Sequence, residues 1–287
     1  MVQDYSGAIV EISDQFDFSY LRNAKDFVTR KWHRFPVESR VDWEEKMKWR
    51  YNPRDPALFP ADFSQRCRLL KDRETVFNLT IPGPFWQLRD WIGLESLCLL
   101  MVEDPEFIDE LVAFWTDFML EVLKPILANV EFDFFQVNED MAYKMHSMIS
   151  PRMIRRFLMP CWKKWAAAVR AARVGVFSVD SDGYIGELIP LWLEAGFQNT
   201  WPVEVAAGND LVAFRRQYGH AIAFGGGIDK RSLAAGGDVM RAELERVAPV
   251  IRDGGYLPTC DHGVPPDIFW PNFIEYTRRL AQLTGWL

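Results

Sequence analysis

Cysteine is scarce in this sequence of 287 residues. The isolated Cys67, Cys98, Cys161 and Cys260 form no CxxC pair, which argues against a disulfide scaffold or a zinc ribbon. The N-terminus has no basic segment followed by an apolar run, and no apolar stretch approaches the roughly 20 residues of a membrane helix. We therefore expect a cytoplasmic protein that is not associated with a membrane.

Dense runs of lysine and arginine are also lacking, and the formal net charge is −7. Nucleic-acid binding needs a concentrated basic surface, so a polyanionic partner is not expected. Hydrophobic residues make up 49% of the chain and charged residues 25%, which is typical of a globular protein with a sizeable core. We expect a small-molecule ligand, and a monomer or a homodimer.

No GxGxxG motif follows the first strand candidate, and no P-loop is present, which counts against a nucleotide-binding open sheet. From residue 74 onward, short strand-like runs instead alternate with helix-like ones, as a parallel sheet with crossover helices requires. The strand candidates are residues 75–81, 132–137, 174–179, 197–201, 221–224 and 255–259, with a seventh candidate at residues 8–12.

Polar or glycine residues follow each of these strand candidates. This asymmetry is typical of a (β/α)8 barrel, in which the loops after the strands build the active site. Because the pattern yields fewer than eight strands, a doubly wound open sheet stays an alternative at this point. We predict one barrel domain over residues 1–287, with a helical and irregular elaboration over 1–73 and the barrel core over 74–287.

Two helix starts are marked by capping residues. Asp104 is predicted to be the N-cap of a helix whose first residue is Pro105. Ser150 and Pro151 are predicted to begin another helix in the same way. Twelve tryptophans and 21 phenylalanines are many for this length, and we expect most of them to pack in a core.

Two pairs of reactive side chains stand two residues apart at predicted strand ends. Asp180 and Asp182 would point to the same side if the strand continued, and such carboxylates bind a metal, share a proton or hold a cation. Cys260 and His262 would form half of a zinc site. The structural alternatives are a capped turn for the two aspartates and simple packing for Cys260.

Further candidates follow three other strands. Glu139 and Asp140 precede Tyr143 and Lys144, and an acid here would act as a metal ligand or a general acid, unless it only pairs with Lys144 or Arg152. The glycines around Gly226, together with Asp229 and Lys230, allow a ligand to approach the backbone, although a tight turn with Asp229 as helix cap is an alternative. Trp201 and Glu204 would recognise a polar group on an otherwise apolar ligand, unless Glu204 only pairs with a cation.

Taken together, these segments resemble the uroporphyrinogen decarboxylase superfamily, and in particular its corrinoid-linked methyltransferase members. The likeness rests on five stretches, in the same order as in the family, from residue 76 to the C-terminus: residues 139–151, 180–190, 201–204, 226–231 and 254–267. The resemblance implies a (β/α)8 TIM barrel of the uroporphyrinogen decarboxylase type. It thereby favours closure of the barrel over an open sheet.

Two departures from the family limit what the resemblance implies about function. No arginine-rich segment before Val76 matches the one with which the true decarboxylase grips its substrate. Asp180 stands where the family usually has histidine, and Cys260 stands where many relatives have proline. The resemblance therefore implies a remodelled zinc site, with its ligands drawn from Glu139, Asp180, Cys260 and His262.

The function that this resemblance implies is methyl transfer between a small methylated substrate and a corrinoid (cobalamin) cofactor carried by a partner protein. Zinc would activate the leaving group, and a methoxylated aromatic compound is one candidate substrate. The catalytic residues would be Glu139, Tyr143, Lys144 and Asp182. The substrate-binding residues would be Asp140, Trp201, Glu204, Gly226, Asp229 and Lys230.

Two other functions are compatible with the sequence. One is a metal-independent decarboxylase or lyase acting on a small acid, with Asp182 as acid or base and Lys230 or Arg231 holding the carboxylate. The other is a non-catalytic barrel that binds a ligand. Acidic residues at four strand ends favour an enzyme over a binding protein.

Overall fold

The computed structural model describes residues 1–4, 6–12 and 30–287. The strands in these ranges are β1 Val2–Gln3, β2 Ile9–Ile12, β3 Arg30–Arg34, β4 Asn78–Pro82, β5 Phe134–Asn138, β6 Val176–Asp180, β7 Asn199–Val203, β8 Ala223–Ile228 and β9 Tyr256–Cys260.

The α-helices of the same ranges are α1 Arg40–Asp42, α2 Phe63–Leu69, α3 Pro84–Ile92, α4 Leu94–Glu103, α5 Pro105–Asn129, α6 Pro151–Met153, α7 Met159–Ala171, α8 Ile189–Ala195, α9 Leu211–Tyr218, α10 Lys230–Ala235, α11 Gly237–Asp253 and α12 Trp270–Thr284. Turns of π-helix follow α1 over Trp43–Met47 and join α6 to α7 over Ile154–Leu158. Short 3-10 helices cover Lys48–Arg50, Pro56–Leu58, Leu70–Asp72 and Val205–Ala207. None of these helices is both long and apolar enough to cross a membrane.

Two compact units make up the described chain. The first contains residues 1–61 and 84–122, and the second contains residues 62–83 and 123–287. The single barrel domain with an elaboration over residues 1–73 stays a prediction.

The first unit contains an antiparallel sheet and an aromatic core. Its strands pair in the order β1-β2-β3, so the seventh strand candidate, at residues 8–12, belongs to this sheet as β2. The rings of Trp43 and Trp91 lie 4.9 Å apart between their centroids, and the Trp91 indole donates a hydrogen bond to the Tyr51 hydroxyl. Burying a large apolar side chain of this kind contributes roughly 1.5–3 kcal/mol, so these tryptophans stabilise the unit.

The second unit contains a six-stranded parallel sheet in the order β4-β5-β6-β7-β8-β9. Every pair of neighbours is parallel and consecutive in the chain, with helical residues in each connection. A chain that always adds its next strand on the same side has the connectivity of a (β/α) barrel. The predicted α/β barrel class is thereby confirmed, with six parallel strands in the described ranges.

All six strands extend one to four residues further toward the C-terminus than the sequence pattern predicted. The prediction stopped β6 at Val179, for example, whereas the strand continues through Asp180. Polar residues line one face of this sheet, and Gln136, Ser178 and Asn199 are register neighbours on it. The apolar side chains Phe135 and Phe177 are buried on the other face. The apolar pattern ends β6 one residue too early because its last residue, Asp180, lies on the polar face of the strand.

Both predicted helix starts are confirmed. The backbone N–H of Phe107 donates to the Asp104 carboxylate, and Pro105 is the first residue of α5. The Ser150 hydroxyl accepts a hydrogen bond of 3.2 Å from the backbone N–H of Met153 at the start of α6.

Replacing Ser150 with alanine leaves that N–H without its side-chain acceptor. We expect Ser150→Ala to lower the free energy of unfolding by about 1 kcal/mol and Ser150→Thr to retain most of it, because threonine also caps helices. Thermal or urea unfolding followed by circular dichroism checks the difference. Equal stability of the two variants would contradict this role of the hydroxyl.

Candidate active site

The loops that follow β5 and β6 are joined by hydrogen bonds. The Met141 N–H donates to the Ser181 hydroxyl, the Asp182 N–H donates to the Asp140 carboxylate, and the Tyr184 N–H donates to the Tyr143 carbonyl. Ser181 is fully buried, so its hydroxyl holds the two loops together away from water. These bonds fix the backbone on either side of the acidic residues.

Close backbone packing brings these loops together at Gly183. Its φ of +82° lies in the left-handed region, and a Cβ would stand 2.7 Å from the Ala142 carbonyl oxygen. Only glycine fits both constraints. Asp140 also has a positive φ, of 42°, a conformation that aspartate tolerates better than most residues.

Three carboxyl groups meet above the C-terminal ends of β5 and β6. Oxygen atoms of Asp140, Asp180 and Asp182 all lie within 4.8 Å of one another. We refer to these three residues as the acidic cluster. Like charges at this spacing repel, so at least one group gains from keeping its proton.

Burial and neighbouring carboxylates raise two pKa values in the acidic cluster. The pKa of Asp180 rises to about 8, mainly through burial and then through the charges of Asp140 and Asp182. The pKa of Asp182 rises to about 6, again mainly through burial and then through Asp140, although nearby His262 lowers it. Asp180 therefore carries its proton at neutral pH, which is the property of a general acid.

Other predicted site residues surround the acidic cluster. The His262 Nε2 lies 3.4 Å from the Asp182 Oδ2. Glu204 accepts from the Gly183 N–H at 3.0 Å and pairs with the Lys230 ammonium at 3.2 Å. The structure thus places the ends of β6, β7, β8 and β9 around one site.

Glu139, predicted to be both catalytic and a zinc ligand, is fully buried. Its Oε1 accepts a hydrogen bond of 2.5 Å from the Trp162 indole, and a Cβ at Gly83 would overlap its carboxyl group. The Glu139 N–H donates to the Asp180 carbonyl oxygen, as in a sheet ladder. Its neighbour Asp140, which the family resemblance assigned to substrate binding, is the residue that joins the acidic cluster.

The remaining candidates lie at the edges of this site. Tyr143 and Lys144 are exposed on the loop after β5. The Trp201 side chain packs against Gly225 of β8, where a Cβ would stand 2.5 Å from the Trp201 Cδ1. The catalytic role of Tyr143 and Lys144 and the binding role of Trp201 stay predictions.

Gly226 and Asp229 have structural contacts. Gly226 has a φ of +84°, and its carbonyl accepts from the Tyr256 hydroxyl. Asp229 caps α10 through the Arg231 N–H and also pairs with the Arg231 guanidinium, as the capping alternative predicted. Their roles in substrate binding stay predictions.

Sequence reasoning missed three side chains that hold this site together. Gln136 donates to Asp180, Ser181 joins the two loops, and the Asn209 amide bonds the carbonyls of Gly183 and Glu204. Gln136 lies within a predicted strand, two residues before the observed end of β5, on the face that Asp180 also occupies. The period of two along β5 was the signal that could have identified it.

Zinc does not fit the residues that the structure brings together. Within the described ranges, the acidic cluster is the one group of three or more potential ligands close enough to share an ion, and it offers oxygen alone. Of the predicted ligands Glu139, Asp180, Cys260 and His262, only Asp180 belongs to it. Burial also raises the pKa of the Cys260 thiol, which opposes the thiolate that zinc needs.

Comparisons with known proteins agree with this fold. The family model described as uroporphyrinogen decarboxylase (URO-D) matches residues 67–275. Among solved structures, a methyltransferase from Methanosarcina mazei is similar to this chain with a TM-score of 0.59 and 13% sequence identity, over 88% of this chain and 72% of that one. At this identity the likeness shows a shared fold. No curated protein matches.

The raised pKa of Asp180 makes a prediction about stability. In the unfolded chain this carboxyl titrates near 3.8, whereas in the folded chain it titrates near 8. Between these values the folded state holds the extra proton, so the contribution of Asp180 to the free energy of unfolding falls as the pH rises through this window. The Asp180→Asn variant has no carboxyl group to ionise here, so its free energy of unfolding does not fall through this window on account of residue 180.

We therefore expect the Asn variant to melt at a higher temperature than the wild type, by a margin that grows between about pH 5.5 and about pH 8.5 and reaches at least about 2 °C. Thermal unfolding at a series of pH values measures it. A margin that is independent of pH would contradict a protonated Asp180.

The mismatch with zinc makes a second prediction. We expect protein purified without chelators to contain zinc well below one equivalent, and Cys260→Ala to keep the wild-type zinc content, because Cys260 is not part of a ligand group. Elemental analysis of both proteins measures this. One equivalent of zinc that is lost in Cys260→Ala would restore the predicted zinc site.

Proposed function

The chain belongs to the uroporphyrinogen decarboxylase (URO-D) family, and from this premise we propose that it is an enzyme that removes a methyl group from a small substrate and passes it to an acceptor. The observation that carries the proposal is the acidic cluster, in which Asp180 keeps its proton at neutral pH. The solved methyltransferase that shares the fold supports the same reaction class.

A protonated Asp180 answers the chemical difficulty of methyl transfer. When a nucleophile takes the methyl group, the electron pair of the broken bond stays on the oxygen, nitrogen or sulfur that carried it. A proton from Asp180 neutralises that atom as the bond breaks, so the neutral alcohol, amine or thiol departs. Asp140 and Asp182, within 4.8 Å of Asp180, keep the proton on Asp180 until then by their negative charge.

We propose that the methyl acceptor is a corrinoid carried by a partner protein, as in the family members that the sequence resembles. A reduced corrinoid supplies a strong nucleophile for a methyl group. This chain's part is to bind the methylated substrate, orient it and protonate the departing atom. Trp201 is the register partner of Asp180 where β6 pairs with β7, so its ring offers an aromatic surface beside Asp180. Such a surface suits a methoxylated aromatic substrate.

Decarboxylation of a small acid receives less support from the same contacts. In that reaction Lys230 or Arg231 would hold the substrate carboxylate, but Lys230 pairs with Glu204 and Arg231 pairs with Asp229. The negative charge of Asp140 and Asp182 would also repel an anionic substrate.

A non-catalytic barrel also receives less support. A buried, protonated Asp180 lowers the free energy of unfolding near neutral pH, and a barrel that only binds a ligand would gain nothing in return. The cytoplasmic location and the monomer or homodimer stay predictions.

A spectral assay with added cob(I)alamin tests the proposal. The donors are methanol, methylamine, dimethyl sulfide and 2-methoxyphenol, and the product is methylcobalamin. We expect Asp180→Asn to lower kcat by about 10²–10⁴-fold, because asparagine cannot give up a proton. Because the acid form is required, wild-type kcat should be full below about pH 8 and fall above it.

Asp238→Asn is the matched control, since Asp238 is 89% exposed in the first turn of α11. It should be as fast as the wild type. Failure of every donor to yield methylcobalamin, or an Asp180→Asn variant as active as Asp238→Asn, would refute the proposed function.

A further inference from the structure

Asp261 directly follows Cys260, the last residue of β9, and its side chain is fully buried. Its own N–H donates to the Ile228 carbonyl at 2.9 Å, which continues the ladder between β8 and β9. Gly226 of β8 allows a close approach here, because a Cβ at that position would stand 3.4 Å from the Asp261 Cα and 3.0 Å from the Val203 nitrogen. A buried carboxyl group needs hydrogen-bond partners, and the backbone supplies them.

Each oxygen of the Asp261 carboxyl group accepts one backbone N–H. Oδ2 accepts from the Val205 N–H at 2.9 Å, and Oδ1 accepts from the Lys230 N–H at 3.1 Å. Val205 is the first residue of the 3-10 helix after β7, and Lys230 is the first residue of α10 after β8. One side chain of β9 thereby fixes the backbone that follows each of the two preceding strands.

The two backbone segments that Asp261 fixes carry an ion pair beside the acidic cluster. Glu204 directly precedes Val205, and the Lys230 Nζ lies 3.2 Å from the Glu204 Oε1. The Glu204 Oε2 accepts from the Gly183 N–H at 3.0 Å, next to Asp182 in the chain. The position of the Lys230 ammonium therefore depends on the two bonds to Asp261.

The Lys230 ammonium has N–H groups left for a ligand. An ammonium has three N–H donors, and Glu204 is the hydrogen-bond partner of Nζ among the residues that the structure describes. The Lys230 side chain is 23% exposed, so the protein does not enclose it. Because Glu204 balances its charge, the ammonium suits a neutral oxygen or nitrogen acceptor better than a carboxylate.

We propose that Asp261 is a positioning residue that holds Lys230 beside Glu204, so that the remaining N–H groups of Lys230 bind a neutral polar atom of the methyl donor. The binding role rests on the proposed function, whereas the position of Lys230 rests on the backbone contacts of Asp261. Asp261 is buried and acts through these contacts, so it does not need to touch the substrate.

Two variants break these contacts from opposite sides. Asp261→Asn replaces one acceptor oxygen with an NH2 group, which cannot accept, so the N–H of Val205 or of Lys230 loses its bond. Val205→Pro removes the N–H donor instead, at a first helical position where proline is well tolerated. It keeps the test open if the Asp261→Asn variant does not fold.

Asp210→Asn is the matched control. Asp210 caps α9 through a single oxygen, Oδ1, which accepts the N–H groups of Val212 and Ala213. Asparagine keeps that oxygen and caps helices as well as aspartate does. The same substitution therefore removes a backbone contact at Asp261 and preserves both contacts at Asp210.

Nuclear magnetic resonance of lysines methylated with 13C gives a readout that needs no substrate. The resonance of Lys230 is assigned by its absence in Lys230→Arg. We expect it to move in Asp261→Asn and in Val205→Pro, because the ammonium leaves its place beside Glu204, and to stay in Asp210→Asn. A resonance that moves in neither variant, or that moves equally in the control, would overturn the positioning role.

The cob(I)alamin assay tests the binding role. For each donor that is methylated off, we expect Asp261→Asn to raise KM about threefold to tenfold while kcat stays unchanged, because Lys230 would bind the substrate and the transition state alike. In a Lys230→Met background, Asp261→Asn should raise KM no further, since Asp261 acts through Lys230. An unchanged KM, a loss confined to kcat, or additive effects on KM would contradict this role.

The two readouts separate the inference from the proposed function. A Lys230 resonance that moves, in a protein that methylates no cobalamin, refutes the proposed function and the binding of a methyl donor but supports the positioning of Lys230 by Asp261. Methylation with an unmoved resonance supports the proposed function and overturns the inference.

Discussion

The site depends on one constraint, the set of hydrogen bonds that joins the loops after β5 and β6. Ser181, buried between them, and Gly183, which has no room for a Cβ, allow the backbones to come within hydrogen-bonding distance. With the backbones fixed, Asp140 and Asp182 cannot move away from Asp180. The crowding of three carboxyl groups is therefore imposed by the backbone and persists although it is electrostatically unfavourable.

This arrangement trades stability for reactivity. A carboxyl that is ionised in the unfolded chain but protonated in the folded one lowers the free energy of unfolding near neutral pH. In the proposed reaction, the same raised pKa lets Asp180 supply a proton that an ordinary aspartate would already have lost. Residues that destabilise a fold and have a clear chemical use are expected at functional sites, and here the cost falls on Asp180.

Much of the site was predictable from strand ends. Asp180, Asp182, Glu204, Lys230 and His262 follow parallel strands, and parallel strands bring their C-terminal ends to one edge. The choice between Glu139 and Asp140 was not predictable, because it depends on which of two adjacent carboxyl groups the Trp162 indole and Gly83 enclose. The expected zinc ligands Glu139, Asp180, Cys260 and His262 do not form a close group, for a related reason: residues at neighbouring strand ends share an edge, but metal ligands must converge within a few ångströms.

The sequence alone determined the α/β class, the caps at Asp104 and Ser150, and the family, because these follow from local periodicity, capping chemistry and ordered motifs. Only the tertiary structure decided which acidic residues meet, which one keeps its proton and that Gln136 contacts it. Those properties depend on distances and burial between segments some 40 residues apart along the chain, such as Gln136 and Asp180. Packing of β5 against β6 sets these distances, and no local pattern encodes them.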